Sequence, residues 1–162
     1  MIKKSLLLFL IILFFGNAYS IEIVCDFEEV YKNGEIQQGK LLVKDSLLRY
    51  QYEKTNLYTL VYNQSGLYLK DNFGERQSQR INGNDVLIKK ILEILKNYPE
   101  IKNQYEEKDL QLNIEDSIQN NFVKRIAVKS NNLNLSIYFN NCKNIKINSL
   151  YFDHKEFIKF ND

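Results

Sequence analysis

Apolar and polar residues alternate along most of this chain with the two-residue period of half-buried strands. Residues 22–31 (EIVCDFEEVY) place Ile23, Cys25 and Phe27 on one face. Asn33-Gly34 follows, a dipeptide that favours hairpin turns because it tolerates positive φ. Residues 35–44 then return as a second strand. Asp45-Ser46 turns the chain into a third strand at 47–53, and a fourth follows at 57–63. Ser65-Gly66 leads to a fifth at 67–70, and the turn from Asn72 to Gly74 leads to a sixth, polar edge strand between 75 and 81. The spacing predicts a meander of short antiparallel strands.

The period then changes. Asn82-Gly83-Asn84-Asp85 reads as a turn ending in helix-capping residues. Val86, Leu87, Ile88, Ile91, Leu92, Ile94, Leu95 and Tyr98 recur at helical spacing, and Pro99 stops the helix. These positions cover more than half of the helix circumference, whereas a helix lying on a sheet needs an apolar stripe of roughly 100°. Residues 99–107 read as a loop. Strand alternation resumes with Leu110, Leu112 and Ile114, then Phe122, Ile126 and Val128, then Leu133, Leu135, Ile137 and Phe139 after an Asn131-Asn132 turn. Residues 143–152 are expected as a last strand, bulged near Asn148. The expected architecture is α+β and mainly antiparallel β: a curved sheet with one helix on its concave face.

Residues 1–20 differ from everything after them. Lys3 and Lys4 precede an unbroken apolar run from Leu6 to Phe15, Gly16-Asn17 breaks it, and Ala18-Tyr19-Ser20 offers small residues where a signal peptidase reads. Cleavage after Ser20 would leave a single domain of residues 21–162. A membrane anchor would need about 20 apolar residues, about twice this run. Lipidation of Cys25 is disfavoured by Glu22-Ile23-Val24, where a lipoprotein signal needs small side chains. Removing the leader also changes the charge. Lys3 and Lys4 account for the whole excess of 22 basic over 20 acidic residues, so residues 21–162 are balanced. A basic stripe for nucleic acid is therefore not expected.

Cys25 and Cys142 fall in the first and one of the last expected strands. They either pair, closing most of the domain into one loop, or remain as two small buried hydrophobes; export to an oxidising compartment favours pairing. The lone histidine, His154, lies in a polar stretch near the C-terminus and reads as exposed and without a chemical role. One His and two distant Cys supply no zinc spacing, so no metal site is expected. Neither a nucleophile-elbow Ser motif nor a phosphate-cradling Gly loop is present. Glu28-Glu29 and Glu106-Glu107 read as solvated surface. No catalytic residue is assigned, no cofactor is expected, and an enzyme is the remotest reading.

What the sequence offers instead is aromatic and apolar surface. Tyr50, Tyr52, Tyr58, Tyr62 and Tyr68 crowd the central strands. One reading is a filled aromatic core. The other is a cavity between a curved sheet and an over-apolar helix, where each buried methylene of a guest is worth about 0.8 kcal/mol.

The stretch from Gly39 to Leu95 resembles the LolA/LolB-like periplasmic carriers of outer-membrane lipoproteins. The resemblance rests on Gly39-Lys40-Leu41-Leu42, the turn Lys44-Asp45-Ser46, and the Arg-aromatic-x-aromatic strand Leu48-Arg49-Tyr50-Gln51-Tyr52. Thr59-Leu60-Val61-Tyr62, Ser65-Gly66 and Leu67-Tyr68-Leu69-Lys70-Asp71 continue it ahead of the apolar helix. Residues 122–152, with Asn144-Ile145-Lys146-Ile147 leading to Phe152, are similar to the family's closing strands. The chain departs from the pattern in three ways: it has no helix before the first strand, Asp45 replaces a proline, and two cysteines are added.

The resemblance implies a curved half-barrel sheet with a helical lid over a cavity for acyl chains of lipoproteins moving from inner to outer membrane. It implies no cofactor and no covalent chemistry. The expected lipid-binding residues are Tyr50, Tyr52, Leu60, Tyr62, Leu87, Ile88, Ile91 and Leu95, with Lys44 and Arg49 as candidates for holding the lid closed. The expected partners are lipoprotein acyl chains and the sorting proteins of the two membranes, met by a monomer in the periplasm. A binding module for another amphiphile, such as a fatty acid or phospholipid, and a structural or interaction domain with a filled core are the alternatives.

Overall fold

The computed structural model describes residues 21–54, 56–73, 77–82, 85–117, 122–155 and 158–160. The expected leader, residues 1–20, lies outside them, as do Gly83 and Asn84 of the expected helix-capping turn, Gly74 of the turn before the expected sixth strand, and Glu75 and Arg76 at the start of that strand. Alternation in the first half builds β1 (Glu22–Tyr31), β2 (Ile36–Lys44), β3 (Leu47–Tyr52), β4 (Tyr58–Asn63), β5 (Gly66–Asp71) and β6 (Gln79–Ile81). The helix α1 follows (Asp85–Asn97), and β7 (Gln104–Glu107), β8 (Leu110–Ser117), β9 (Phe122–Lys129) and β10 (Asn134–Asn144) complete the sheet. All ten strands join one sheet in the order β6-β5-β4-β3-β2-β1-β10-β9-β8-β7. The structure is thus mainly antiparallel β with one helix among the described residues.

Local chemistry explains the turns. The β1–β2 hairpin closes through Lys32, Asn33 and Gly34: the Tyr31 N–H donates to the Glu35 carbonyl, and the Gly34 N–H to the Tyr31 carbonyl, both at 2.9 Å. Only Gly34 of this loop takes a positive φ, 82°, so the hairpin uses a three-residue loop with a left-handed glycine. Asp45 bears the positive φ (52°) of the β2–β3 turn.

Two expectations are corrected. Residues 99–107 are not wholly loop, because Gln104–Glu107 pairs with Leu110–Asn113 as an edge strand. Residues 143–152 are not a strand: β10 ends at Asn144, and the chain leaves the sheet to form a 3₁₀ turn at Ser149–Phe152, capped by the Asn148 side chain. The outer face of the sheet supplies the reason, since it carries apolar residues that need a cover.

The sheet has a core on each side. On the helix face, Phe27, Leu41, Val43, Leu48, Ile126, Val128, Ile137 and Phe139 pack in one cluster with Ile91, Leu92, Ile94 and Leu95 of α1. On the outer face, Val24 and Leu42 pack with Ile147 and Phe152 of the C-terminal segment, flanked by Leu47, Tyr151 and Phe160.

Cys25 and Cys142 are joined by a disulfide between residues whose Cα atoms lie 4.1 Å apart. The bond sits at a bulge, where the β1–β10 register shifts between Val24 and Asp26 and Asn141 adopts a left-handed φ of 51°. Such a bond is compatible with an oxidising, exported location. No helix among the described residues is long and apolar enough to cross a membrane.

Candidate functional site

Beneath the first two turns of α1 lies an apolar cavity of about 210 Å³. Leu87, Ile88 and Ile91 roof it. Leu41 of β2, Leu48, Tyr50 and Tyr52 of β3 and Leu60 of β4 wall one side, while Val128 of β9 and Leu133, Leu135, Ile137 and Phe139 on and beside β10 wall the other. The end towards the β1–β2 hairpin is polar, formed by Glu29 and Tyr31. A second space of about 230 Å³ shares Tyr31, Tyr52 and Leu60 with the first and adds Gln37, Leu57, Tyr58 and Leu69.

The aromatic wall depends on one glycine. Phe27 stacks on Tyr50 with ring centroids 3.8 Å apart, and Tyr52 meets both rings edge-on at 5.4 Å. Gly39 pairs across the sheet with both Phe27 and Tyr52. A Cβ there would overlap the Gln51 carbonyl oxygen and come within 2.6 Å of the Phe27 ring. Its lack of a side chain is therefore what lets Phe27 lie against the sheet.

Glu29 is the one acid facing this cavity, and only 5% of it is exposed. Three tyrosines donate to it: Tyr50 to Oε1 at 2.8 Å, Tyr31 to Oε2 at 2.8 Å and Tyr52 to Oε2 at 3.0 Å. Both oxygens accept, the pattern of a carboxylate solvated by hydroxyls in place of water. The phenols respond accordingly. Burial first, and the Glu29 carboxylate second, through its hydrogen bond and then its charge, push the Tyr31 hydroxyl up to about 12. The same two causes raise Tyr50 and Tyr52 well above the ordinary phenol value.

The residues expected from sequence separate into three groups. Tyr50, Tyr52, Leu60, Leu87, Ile88 and Ile91 are brought together around the cavity. Leu95 is fully buried in the core further along α1, and Tyr62 packs against that core; neither lines the cavity.

Lys44 and Arg49 fall on the opposite face of the sheet, and the expected lid contact is corrected to a contact with the C-terminal segment. Lys44 Nζ donates to the Ile147 carbonyl at 2.7 Å and lies 3.3 Å from Glu22, whose carboxylate accepts the Ile147 N–H at 2.6 Å. That N–H, more than Lys44, holds the Glu22 carboxyl below its usual range. Arg49 is fully buried; it donates to Gln51 Oε1 and, at 2.8 Å, to the Tyr151 carbonyl. Burial draws its guanidinium down to about 10. Strand parity accounts for both placements: Lys44 and Arg49 alternate with the cavity-side residues Val43, Leu48 and Tyr50.

His154, expected to be exposed, is half-buried, and its ring stacks on Tyr68 at 3.8 Å on this outer face. Glu29, expected on the surface, is the functional candidate that sequence reasoning missed. The available signal was the odd-numbered face of β1, which runs through Ile23, Cys25 and Phe27 to Glu29 and Tyr31.

Compared with known proteins, the chain matches no family model and no curated protein.

Proposed function

We propose that this chain is an exported carrier that houses acyl chains beneath α1, and that its cargo is lipoproteins in transit to the outer membrane. In this reading residues 1–20 are removed near Ser20, the chain works in the periplasm as a monomer, the sheet wraps as an incomplete half-barrel, and α1 is its lid. The observation that carries the proposal is the apolar cavity of about 210 Å³. An apolar cavity of about 150 Å³ already admits benzene. Each methylene moved from water into such a space contributes about 0.8 kcal/mol, so an alkyl segment can bind without a dedicated polar motif. The disulfide supports an oxidising compartment. Because Lys44 and Arg49 hold the C-terminal segment, lid closure is assigned to the apolar contacts of Leu87, Ile88 and Ile91.

The direct test is to incubate the purified protein with inner-membrane vesicles carrying a labelled lipoprotein. A soluble complex of the two is expected. Lipoprotein that stays wholly with the vesicles, under conditions where the protein is folded, would contradict the proposal.

A further inference from the structure

We infer that the polar end of this cavity receives the amine or ammonium group of an amphiphile whose chain lies against Leu87, Ile88 and Ile91. The inference rests on the proposed carriage of apolar chains and adds the chemistry of the head group that the site prefers.

The cavity end offers acceptors and withholds donors. Tyr31, Tyr50 and Tyr52 each spend their single hydroxyl proton on Glu29. What they can still present to a guest is oxygen lone pairs. Glu29 has about four acceptor positions and these bonds fill three. Its cross-strand partner in the β1–β2 pair is Gln37, so the two side chains stand beside each other on one face. Gln37 is 8% exposed and lines the adjoining space. Its Nε2 donates to Glu35 at 2.5 Å, which fixes the amide orientation, and its buried Oε1 has no hydrogen-bond partner. A buried acceptor without a donor is costly. A group with several N–H bonds carries a donor for the open position on Glu29 and others for Gln37 Oε1 in the adjoining space, which shares Tyr31 and Tyr52 with the first.

Charge points the same way. No Lys, Arg or His lines either space among the described residues, so the Glu29 charge there is met by hydroxyl dipoles alone. An ammonium group would be attracted to it and to the faces of the surrounding tyrosines. A carboxylate or phosphate head would meet the like charge of Glu29 with no donor to receive it. Because residues 21–162 carry balanced charge, the protein as a whole gives a cationic ligand no general advantage over an anionic one.

The test compares dodecylamine, dodecanol and dodecanoate, each below its micelle-forming concentration, by calorimetric titration of the purified protein at neutral pH. Dodecylamine is expected to bind about tenfold more tightly than dodecanol, the scale of one hydrogen bond to a charged group, and dodecanoate the most weakly. Glu29→Gln is expected to remove the advantage of the amine, bringing dodecylamine and dodecanol to within about twofold of each other in the variant. Dodecanol or dodecanoate binding as tightly as dodecylamine to the unsubstituted protein would overturn the inference while chain carriage stands. An amine advantage that survives intact in a folded Glu29→Gln protein would overturn it as well. Saturable binding of none of the three would overturn both. If Glu29→Gln does not fold, Gln37→Met supplies the variant: a several-fold loss for the amine alone is expected, and equal losses for amine and alcohol would overturn the inference.

Discussion

Glu29 follows Phe27 by two residues on the same side of β1, and strand geometry alone sends it inward. A Glu-Glu pair in sequence suggests solvent, yet in a strand only one of two neighbours can face it. Glu28 bonds to Gln38 at an exposed position, while Glu29 is wrapped by three hydroxyls. Composition could not reveal this, because the tyrosines that make burial tolerable come from β3 as well as β1. The cluster has a consequence at high pH. Tyr31 titrates near 12 when folded, and Tyr50 and Tyr52 are also raised, whereas an unfolded chain ionises its phenols near 10. Between those values the unfolded state has released protons that the folded state retains. The stabilising contribution is therefore complete below about pH 10 and falls as pH rises through the folded values. Phenolate absorbance followed through alkaline titration should show a fraction of the tyrosines ionising late, together with unfolding. Ionisation of every tyrosine in one step near the ordinary value, with the fold intact, would refute the cluster.

Among the elements, α1 was legible in both extent and character, and its excess of apolar residues had a cause that periodicity alone could not locate. Its second half, with Ile91, Leu92, Ile94 and Leu95, is buried in the core. Its first half, Leu87 and Ile88, is only partly buried and stands over open space. The strand expected at 143–152 failed for a different reason. Alternating residues such as Ile145 and Ile147 satisfy a strand pattern equally well when an extended segment lies across a face with no strand beside it. The demand for that cover comes from Val24 and Leu42, more than a hundred residues earlier. The edge strand β7 was missed because only Tyr105 of its four residues packs inward. The covering role of the C-terminal segment has a measurable size. Phe152→Ala removes a buried ring from the outer core and is expected to cost about 3–5 kcal/mol in denaturant unfolding. A change below about 1 kcal/mol would mean that the segment is only loosely attached.

At the scale of the whole molecule, the two meanders are joined where β1 lies between β2 and β10. The order within each meander followed from turn spacing, but the long-range pairing of β1 with β10 had no sequence signal beyond the two cysteines. Those cysteines, 117 residues apart, covalently tie the two halves at that seam. Loop-closure entropy assigns such a bond about 4–5 kcal/mol. Reduction should therefore lower the denaturant midpoint substantially, with little change in the folded protein's far-ultraviolet circular dichroism under mild conditions. An unchanged midpoint would show that the halves hold together without it. The wider account turns on whether the space under α1 accepts a guest. Ile88→Phe replaces a partly buried side chain on the cavity roof with a larger ring that fills part of the space. The decisive measurement is the titration of a fluorescent acyl-chain probe into the original protein and into Ile88→Phe. The account predicts saturable binding at one site per chain in the original and a loss of at least about tenfold in the filled variant. It is contradicted by the absence of saturable binding in the original protein, or by equal affinities in the two folded proteins.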